Sequence, residues 1–342
     1  MSQAEPMFDV AQLAHFEMYT PDLNGSLHYF KDLLGMQETE RVGDSVYLRA
    51  YEDTYHHTLK LTYRAQPGLG HVAWRVTSPQ ALERRVKAIE ASGQGKGWID
   101  GDEGHGRAYQ FETPGGHLME VFYDVDYWAC GDDCRTSLKN RSQRRPLQGV
   151  PVRRIDHVNL LSPDPNADAQ FMVDVLGFRE REIITTDDNE EVRVGSWMSV
   201  SNLAHDIAFV MDPSGMRGRL HHICYWYGVP QHAYDAAELF KDYNIPIEAG
   251  PGKHGISQAF FMYVIEPGGN RVELFADSGY LVFDPTFPRV SWKISEIPGV
   301  GDTWVGQALP WSWWNEGTPR STMKEPRMIP APDEQAAIAA VD

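Results

Sequence analysis

The sequence is written twice. Residues 13–36 read LAHFEMYTPDLNGSLHYFKDLLGM and residues 154–178 read RIDHVNLLSPDPNADAQFMVDVLGF. Each runs from a histidine to a Pro-Asp pair ending seven residues on, then through a helix-like stretch to Leu-Gly. Two further segments repeat: GLGHVAWRV (Gly68–Val76) matches RLHHICYWY (Arg219–Tyr227), and TPGGHLMEVFYD (Thr113–Asp124) matches EPGGNRVELFAD (Glu266–Asp277). A duplicated unit constrains architecture before any propensity argument, because both copies must fold the same way. It also marks where His and Glu recur at equivalent points.

Within each copy the pattern predicts two small strand–helix–strands units. RRIDHVNLL alternates apolar and polar residues, as a half-buried strand does. Pro165 and Asn166 open a helical stretch that Gly177 closes. Strands are expected around 193–200, 206–211, 220–227, 259–265 and 271–275, with a helix over 231–243, a turn at 212–215 and a hairpin turn at 266–269. The first copy predicts a strand from Gln12, helices near 23–34 and 79–92, a strand over 71–76 and a hairpin at 113–116. Residues 8–124 and 152–279 thus form two domains, joined by a polar, Arg-rich linker over 125–151. The tail, 280–342, is rich in Trp and Pro. Its tryptophans are expected to pack on the body or on a neighbouring subunit.

With 342 residues, 42% hydrophobic and 23% charged, the chain can bury two cores. A formal charge of -17 disfavours nucleic acid and anionic membrane surfaces as partners. MSQAEPMFDV has neither a basic nor an apolar run, and no apolar stretch is long enough to span a bilayer, so a cytoplasmic location is expected. The three cysteines suit a reducing compartment; Cys130 and Cys134 read as linker thiols.

The chemistry-bearing residues of the second copy are His157, His222 and Glu273. Each sits mid-strand, and Glu273 lies between Val272 and Leu274, where a carboxylate is costly to bury unpaired. Two imidazoles and one carboxylate can form the facial triad of a non-haem Fe(II) centre, which leaves coordination positions open. Singly, a strand histidine is more often a core or surface residue. The triple at equivalent points of a repeat is what points to a metal.

RIDHVNL with the following SPD, LHHICYW and GPGKHGISQAFFMYVIEPGGNRVELF resembles the type I extradiol ring-cleaving dioxygenases of the vicinal oxygen chelate superfamily, over about residues 8–314. The likeness is nearest to the catechol and homoprotocatechuate 2,3-dioxygenase branch. It implies an α+β fold of two tandem vicinal oxygen chelate domains, each of paired βαβββ modules forming a curved open sheet around a pocket. It implies that His157, His222 and Glu273 bind Fe(II), or Mn(II), and that catechol and dioxygen meet there to give a 2-hydroxymuconic semialdehyde. It also implies that His205 is the acid–base histidine, that Tyr263 and His254 stand beside the substrate oxygens, and that Asn159 and Trp197 line the substrate site. A homotetramer is the family's usual assembly. No organic cofactor is expected.

Homoprotocatechuate enzymes carry an arginine before the Gly-Pro-Gly turn and arginines in the tail, which grip a carboxylate. Here Ala249 stands before that turn, so an uncharged catechol is expected, with Arg289 and Arg320 as the residues able to compensate. Homoprotocatechuate cleavage is the alternative; a non-oxidative glyoxalase-like enzyme and an aromatic-binding module of the same fold are the further ones. In the first copy His15, His71 and Glu120 stand at the ligand points, and His57 aligns with His205. Gln110 takes the place of Tyr263. That set is expected to be a relic of duplication and the first domain non-catalytic.

Overall fold

A computed structural model describes residues 7–212, 214–277 and 279–320. The first half contains β1 (Val10–Thr20), α1 (Leu23–Leu27), β2 (Gln37–Val42), β3 (Ser45–Arg49), β4 (Leu59–Tyr63), β5 (Gly68–Val76), α2 (Pro79–Ala91), β6 (Gly95–Ile99), β7 (Ala108–Glu112) and β8 (Leu118–Phe122). The second half repeats the order with β9 (Arg154–Ser162), α3 (Pro165–Phe171), β10 (Arg179–Thr185), β11 (Arg193–Ser199), β12 (Ile207–Met211), β13 (Arg219–Trp226), α4 (Pro230–Asp242), β14 (Ile247–Lys253), β15 (Phe260–Ile265) and β16 (Arg271–Phe275). The tail adds β17 (Val290–Lys293) and α5 (Trp311–Asn315).

Each half is one mixed sheet made of two βαβββ modules. The orders are β2-β3-β4-β1-β5-β8-β7-β6 and β14-β15-β16-β13-β9-β12-β11-β10-β17. The modules join where β1 runs antiparallel to β5 and β9 antiparallel to β13. This is the expected α+β fold of paired modules.

The repeated Pro-Asp and Leu-Gly signals have physical jobs. Asp22 and Asp164 cap α1 and α3, accepting hydrogen bonds from Gly25 N at 2.9 Å and Ala167 N at 3.1 Å. Both helices end as π-helical turns (His28–Leu33 and Met172–Leu176), which periodicity had merged into single helices. Gly35 (φ 60°) and Gly177 (φ 79°) then turn the chain through the left-handed region that glycine tolerates best.

Strand alternation sorts the side chains onto two faces. On β9, Val158 and Leu160 join the large apolar core, while His157 and Asn159 face the other way, into a pocket. On β16, Val272 and Leu274 face that core and Glu273 faces the pocket. The core is shared by both halves: Trp74 meets Phe178 edge-on at 4.9 Å, and Tyr29 packs on Phe240 at 5.6 Å. A smaller apolar cluster on the pocket side combines Trp197, Val210 and Phe261 with Leu309, Trp313 and Trp314 of the tail. The tail therefore packs on the body through these residues, and its β17 extends the second sheet beside β10. Trp304 and Trp311 remain largely exposed. Residues 321–342 of the expected tail, and residue 213 of the expected turn, lie outside the described residues.

Candidate active site

The second sheet brings three distant side chains to one point. His157 comes from β9, His222 from β13 and Glu273 from β16, neighbouring strands in the order β16-β13-β9. His157 Nε2 lies 2.8 Å and His222 Nε2 3.0 Å from Glu273 Oε2, and the two ring nitrogens are 3.3 Å apart. All three side chains are buried. Burial alone would raise the Glu273 carboxyl, yet hydrogen bonds and charge from His157 and His222 hold it well below the usual range. Burial opposes charge on His157, but Asp156 and Glu273 outweigh it and push the ring up to about 9. Burial brings His222 down to about 4. A carboxylate facing two imidazoles in a dry site takes up positive charge, as a shared proton or as a cation.

The outer nitrogens leave the inner lone pairs free for a cation. His157 Nδ1 lies 2.9 Å from Asp156 Oδ1, a carboxylate, so Nδ1 carries the proton and the Nε2 lone pair can face inward. For His222 the control is longer. His221 Nε2 lies 2.8 Å from the Trp313 carbonyl oxygen, which only accepts, so that nitrogen carries the His221 proton. His221 Nδ1 then accepts from His222 Nδ1–H at 2.6 Å, leaving the His222 Nε2 lone pair inward as well. Two preset imidazole lone pairs and one carboxylate are a donor set for a divalent first-row metal with open positions. His221 escaped the sequence reading; the doubled histidine in LHHICYW was its only signal.

The pocket above this set encloses about 490 Å³ of non-atom space, part of it open to solvent. His205, at the start of the run into β12, lies 4.1 Å from His157, ring centre to ring centre and tilted by 52°, and its Nδ1 is buried without a hydrogen-bond partner. Burial, and then the nearby His157, keep its pKa well below the ordinary histidine value. Asn159, two residues beyond His157 on the same face, has an unpartnered Oδ1. His254 Nε2 lies 2.9 Å from Tyr263 Oη, while His254 Nδ1 hydrogen-bonds the Asp302 carbonyl. That carbonyl requires Nδ1–H, so Nε2 accepts the Tyr263 proton, and the phenol oxygen keeps lone pairs for a ligand. Burial raises the Tyr263 pKa and lowers that of His254, so both are neutral near pH 7.

Trp197, Ile184, Val210 and Ile256 form the apolar wall, and Leu309, Trp313 and Trp314 close it from the tail. Sequence reasoning placed the tail tryptophans on the body or on a neighbouring subunit, but not in the site. Among the described residues lining the pocket there is no Arg or Lys. Arg289 pairs at the surface with Glu180, and Arg320 with Glu316, so neither compensates for Ala249.

Residues 12–121 and 154–274 match the family model described as glyoxalase/bleomycin resistance protein/dioxygenase superfamily. The chain belongs to that superfamily. It is 59% identical over 318 residues to a metapyrocatechase of Geobacillus stearothermophilus, covering 93% of this chain and 96% of that protein. A manganese-dependent 2,3-dihydroxybiphenyl 1,2-dioxygenase of Geobacillus genomosp. 3 is 40% identical, covering 88% of this chain and 95% of its own length. The crystal structure of homoprotocatechuate 2,3-dioxygenase from Arthrobacter globiformis superimposes with a TM-score of 0.80 at 27% identity, over 93% of this chain and 94% of that one. The protein is a metal-dependent extradiol dioxygenase, and the tandem-domain fold expected from its repeats is that of its superfamily. Among the described residues no helix is long and apolar enough to cross a membrane.

Proposed function

We propose that this dioxygenase opens the ring of catechol, or of a catechol with an uncharged substituent, beside its diol, with Fe(II) held by His157, His222 and Glu273. The observation that carries the substrate class is the pocket wall. Ile184, Val210, Ile256 and Leu309 are apolar, Trp197, Trp313 and Trp314 present ring surfaces, and among the described lining residues no Arg or Lys stands ready for a substrate carboxylate. Metapyrocatechase as the name of a 59% identical relative supports the same reading.

A metal held by His157, His222 and Glu273 would acidify the diol and supply the redox chemistry with dioxygen. The protein supplies the rest. Tyr263 Oη accepts a hydrogen bond from one diol hydroxyl, because its own proton is committed to His254. His205, neutral and with Nδ1 unpartnered, takes a proton from the diol and returns it as the oxygen–oxygen bond breaks. Asn159 Oδ1 offers a further acceptor on the side of β9. The tail tryptophans exclude water and hold the aromatic ring by stacking.

The test is oxygen uptake by the Fe(II)-loaded chain over catechol, 3-methylcatechol, 4-methylcatechol and homoprotocatechuate. Catechol or a methylcatechol should consume oxygen and give a yellow ring-cleavage product, with homoprotocatechuate much slower. His205→Phe should cut turnover by a factor on the order of 10² to 10⁴ while iron is retained, and Glu273→Gln should lose iron. Faster turnover of homoprotocatechuate than of catechol, or full activity in both variants, would overturn the assignment.

A further inference from the structure

The first half holds a second cluster that the proposed chemistry does not use. His15 on β1, His71 on β5 and Glu120 on β8 occupy the same strands and register as the three residues above. Glu120 pairs with Ala73, two residues beyond His71, as Glu273 pairs with Cys224, two residues beyond His222. His71 stands opposite Glu17 as His222 stands opposite Asn159. A third imidazole, His105, comes from the loop between β6 and β7.

We propose that His15, His105 and Glu120, whose ligand atoms all lie within 4.8 Å of one another, hold a second divalent transition cation, of the zinc class, at a site that takes no part in ring cleavage. The three Nε2 atoms lie 3.7, 3.6 and 3.4 Å from Glu120 Oε1, for His15, His71 and His105 respectively. None of the three contacts is made as a hydrogen bond, and the ligand atoms of His15, His105 and Glu120 lie within 4.8 Å of one another. The spacings to Oε1 match the separation of two donors on one tetrahedral ion, about 3.4 Å for metal–ligand bonds of about 2.1 Å.

Proton counting points the same way. His105 Nδ1 lies 2.9 Å from the Gly106 carbonyl oxygen, so it bears the proton and Nε2 presents a lone pair. His71 Nδ1 lies 3.1 Å from Glu17 Oε2, and its Nε2 faces His15 Nε2 at 2.9 Å. Even a doubly protonated His71 spends its second N–H on His15. His105 Nε2 and Glu120 Oε1 are then both acceptors, both buried, and both without a hydrogen-bond partner. Two orphaned acceptors aimed at the same point are satisfied by a cation and by little else. Glu120 Oε2 is engaged separately, by Gln110 Nε2 at 3.4 Å, which leaves Oε1 for the ion.

The same residues make the site non-catalytic. Gln110 replaces the phenol that Tyr263 supplies in the second half, and His105 fills the side that the other site needs open. Two imidazoles and one carboxylate on the ion, with the third imidazole, His71, packed against His15 at 2.9 Å, make a crowded set of the structural kind.

The test counts metal in the full chain, reconstituted with Zn(II) and desalted, by native mass spectrometry and elemental analysis. Wild type should hold two ions, Glu273→Gln one, and Glu273→Gln with Glu120→Gln none. Co(II) in the Glu273→Gln chain should give the visible bands of a four-coordinate nitrogen–oxygen site. If the double variant does not fold, His105→Ala in the Glu273→Gln background serves instead, losing the ion or its four-coordinate spectrum. A wild type that never exceeds one ion, or a Glu273→Gln chain that holds none, overturns the proposal. Ring cleavage by the Fe(II)-loaded chain is read separately and stands or falls on its own.

Discussion

Replacing His221 with leucine tests whether the tail presets a metal ligand. In the wild type the Trp313 carbonyl fixes the proton of His221 Nε2, and His221 Nδ1 in turn accepts the proton of His222 Nδ1. Leucine fills similar space but offers neither function. His222 then keeps a buried N–H with no acceptor, or moves its proton to Nε2 and loses the lone pair that faces Glu273. An orphaned buried polar group costs about 1–3 kcal/mol. Removing the outer partner of a metal-ligating histidine lowers metal affinity by about 10–100-fold. At about 1.4 kcal/mol per factor of ten, the affinity loss corresponds to about 1.4–2.8 kcal/mol, so the two measures agree. The assay is chelator competition for Fe(II) under anaerobic conditions, alongside kcat per bound iron. H221L should weaken iron binding by at least tenfold with kcat per iron within a few-fold of wild type. His221→Gln, which keeps an acceptor and a donor on one side chain, should recover most of the affinity. If H221L binds iron as tightly as wild type, or H221Q is as weak as H221L, the relay does not set the ligand.

Two further outcomes follow from the packing and charge. Trp313 stands edge-on to Tyr263 at 5.5 Å and to Trp314 at 4.6 Å. W313A should lower stability by about 3 kcal/mol, as truncations of buried aromatics do, and raise KM for catechol; an unchanged KM would remove the tail from the substrate site. Asp102 accepts hydrogen bonds from Lys60 and Tyr47, which outweigh the burial that would raise it and bring its pKa down to about 2. A depressed carboxylate stabilises above its unfolded value of about 3.9 and loses that contribution as pH falls towards 2. The shift has a ceiling of about 2.5 kcal/mol, which solvent screening of this partly exposed group reduces to about 1 kcal/mol. D102N should therefore lower the urea midpoint at pH 7, with the gap to wild type closing between about pH 4 and pH 2; a gap independent of pH would refute the charge argument.

The repeat made much of the fold legible. Matching a Pro-Asp, a Leu-Gly and a Pro-Gly-Gly at the same offsets places two caps, two helix stops and two hairpins, each a local matter of hydrogen bonding or backbone freedom. The π-helical ends of α1 and α3 were not legible, since a shifted hydrogen-bond register leaves side-chain periodicity almost unchanged over so few residues. The strands β10, β14 and β17 were missed for another reason. They carry Arg, Glu, Gly, Pro and Lys in place of an alternating apolar face, and pairing with neighbours, not pattern, makes them strands.

Local chemistry alone therefore determined which residue types recur at which points: His157, His222 and Glu273 in one copy, His15, His71 and Glu120 in the other. Tertiary structure decided what those points become. Neighbouring strands from distant parts of the chain bring each triple together. Asp156, His221 and the Trp313 carbonyl then set which nitrogen of each ligand bears its proton, and the tail closes one pocket with tryptophan while a loop brings His105 to the other cluster. A proton's position on a ring, and the side chain that fills an open face, depend on contacts across space. No spacing along the chain encodes them.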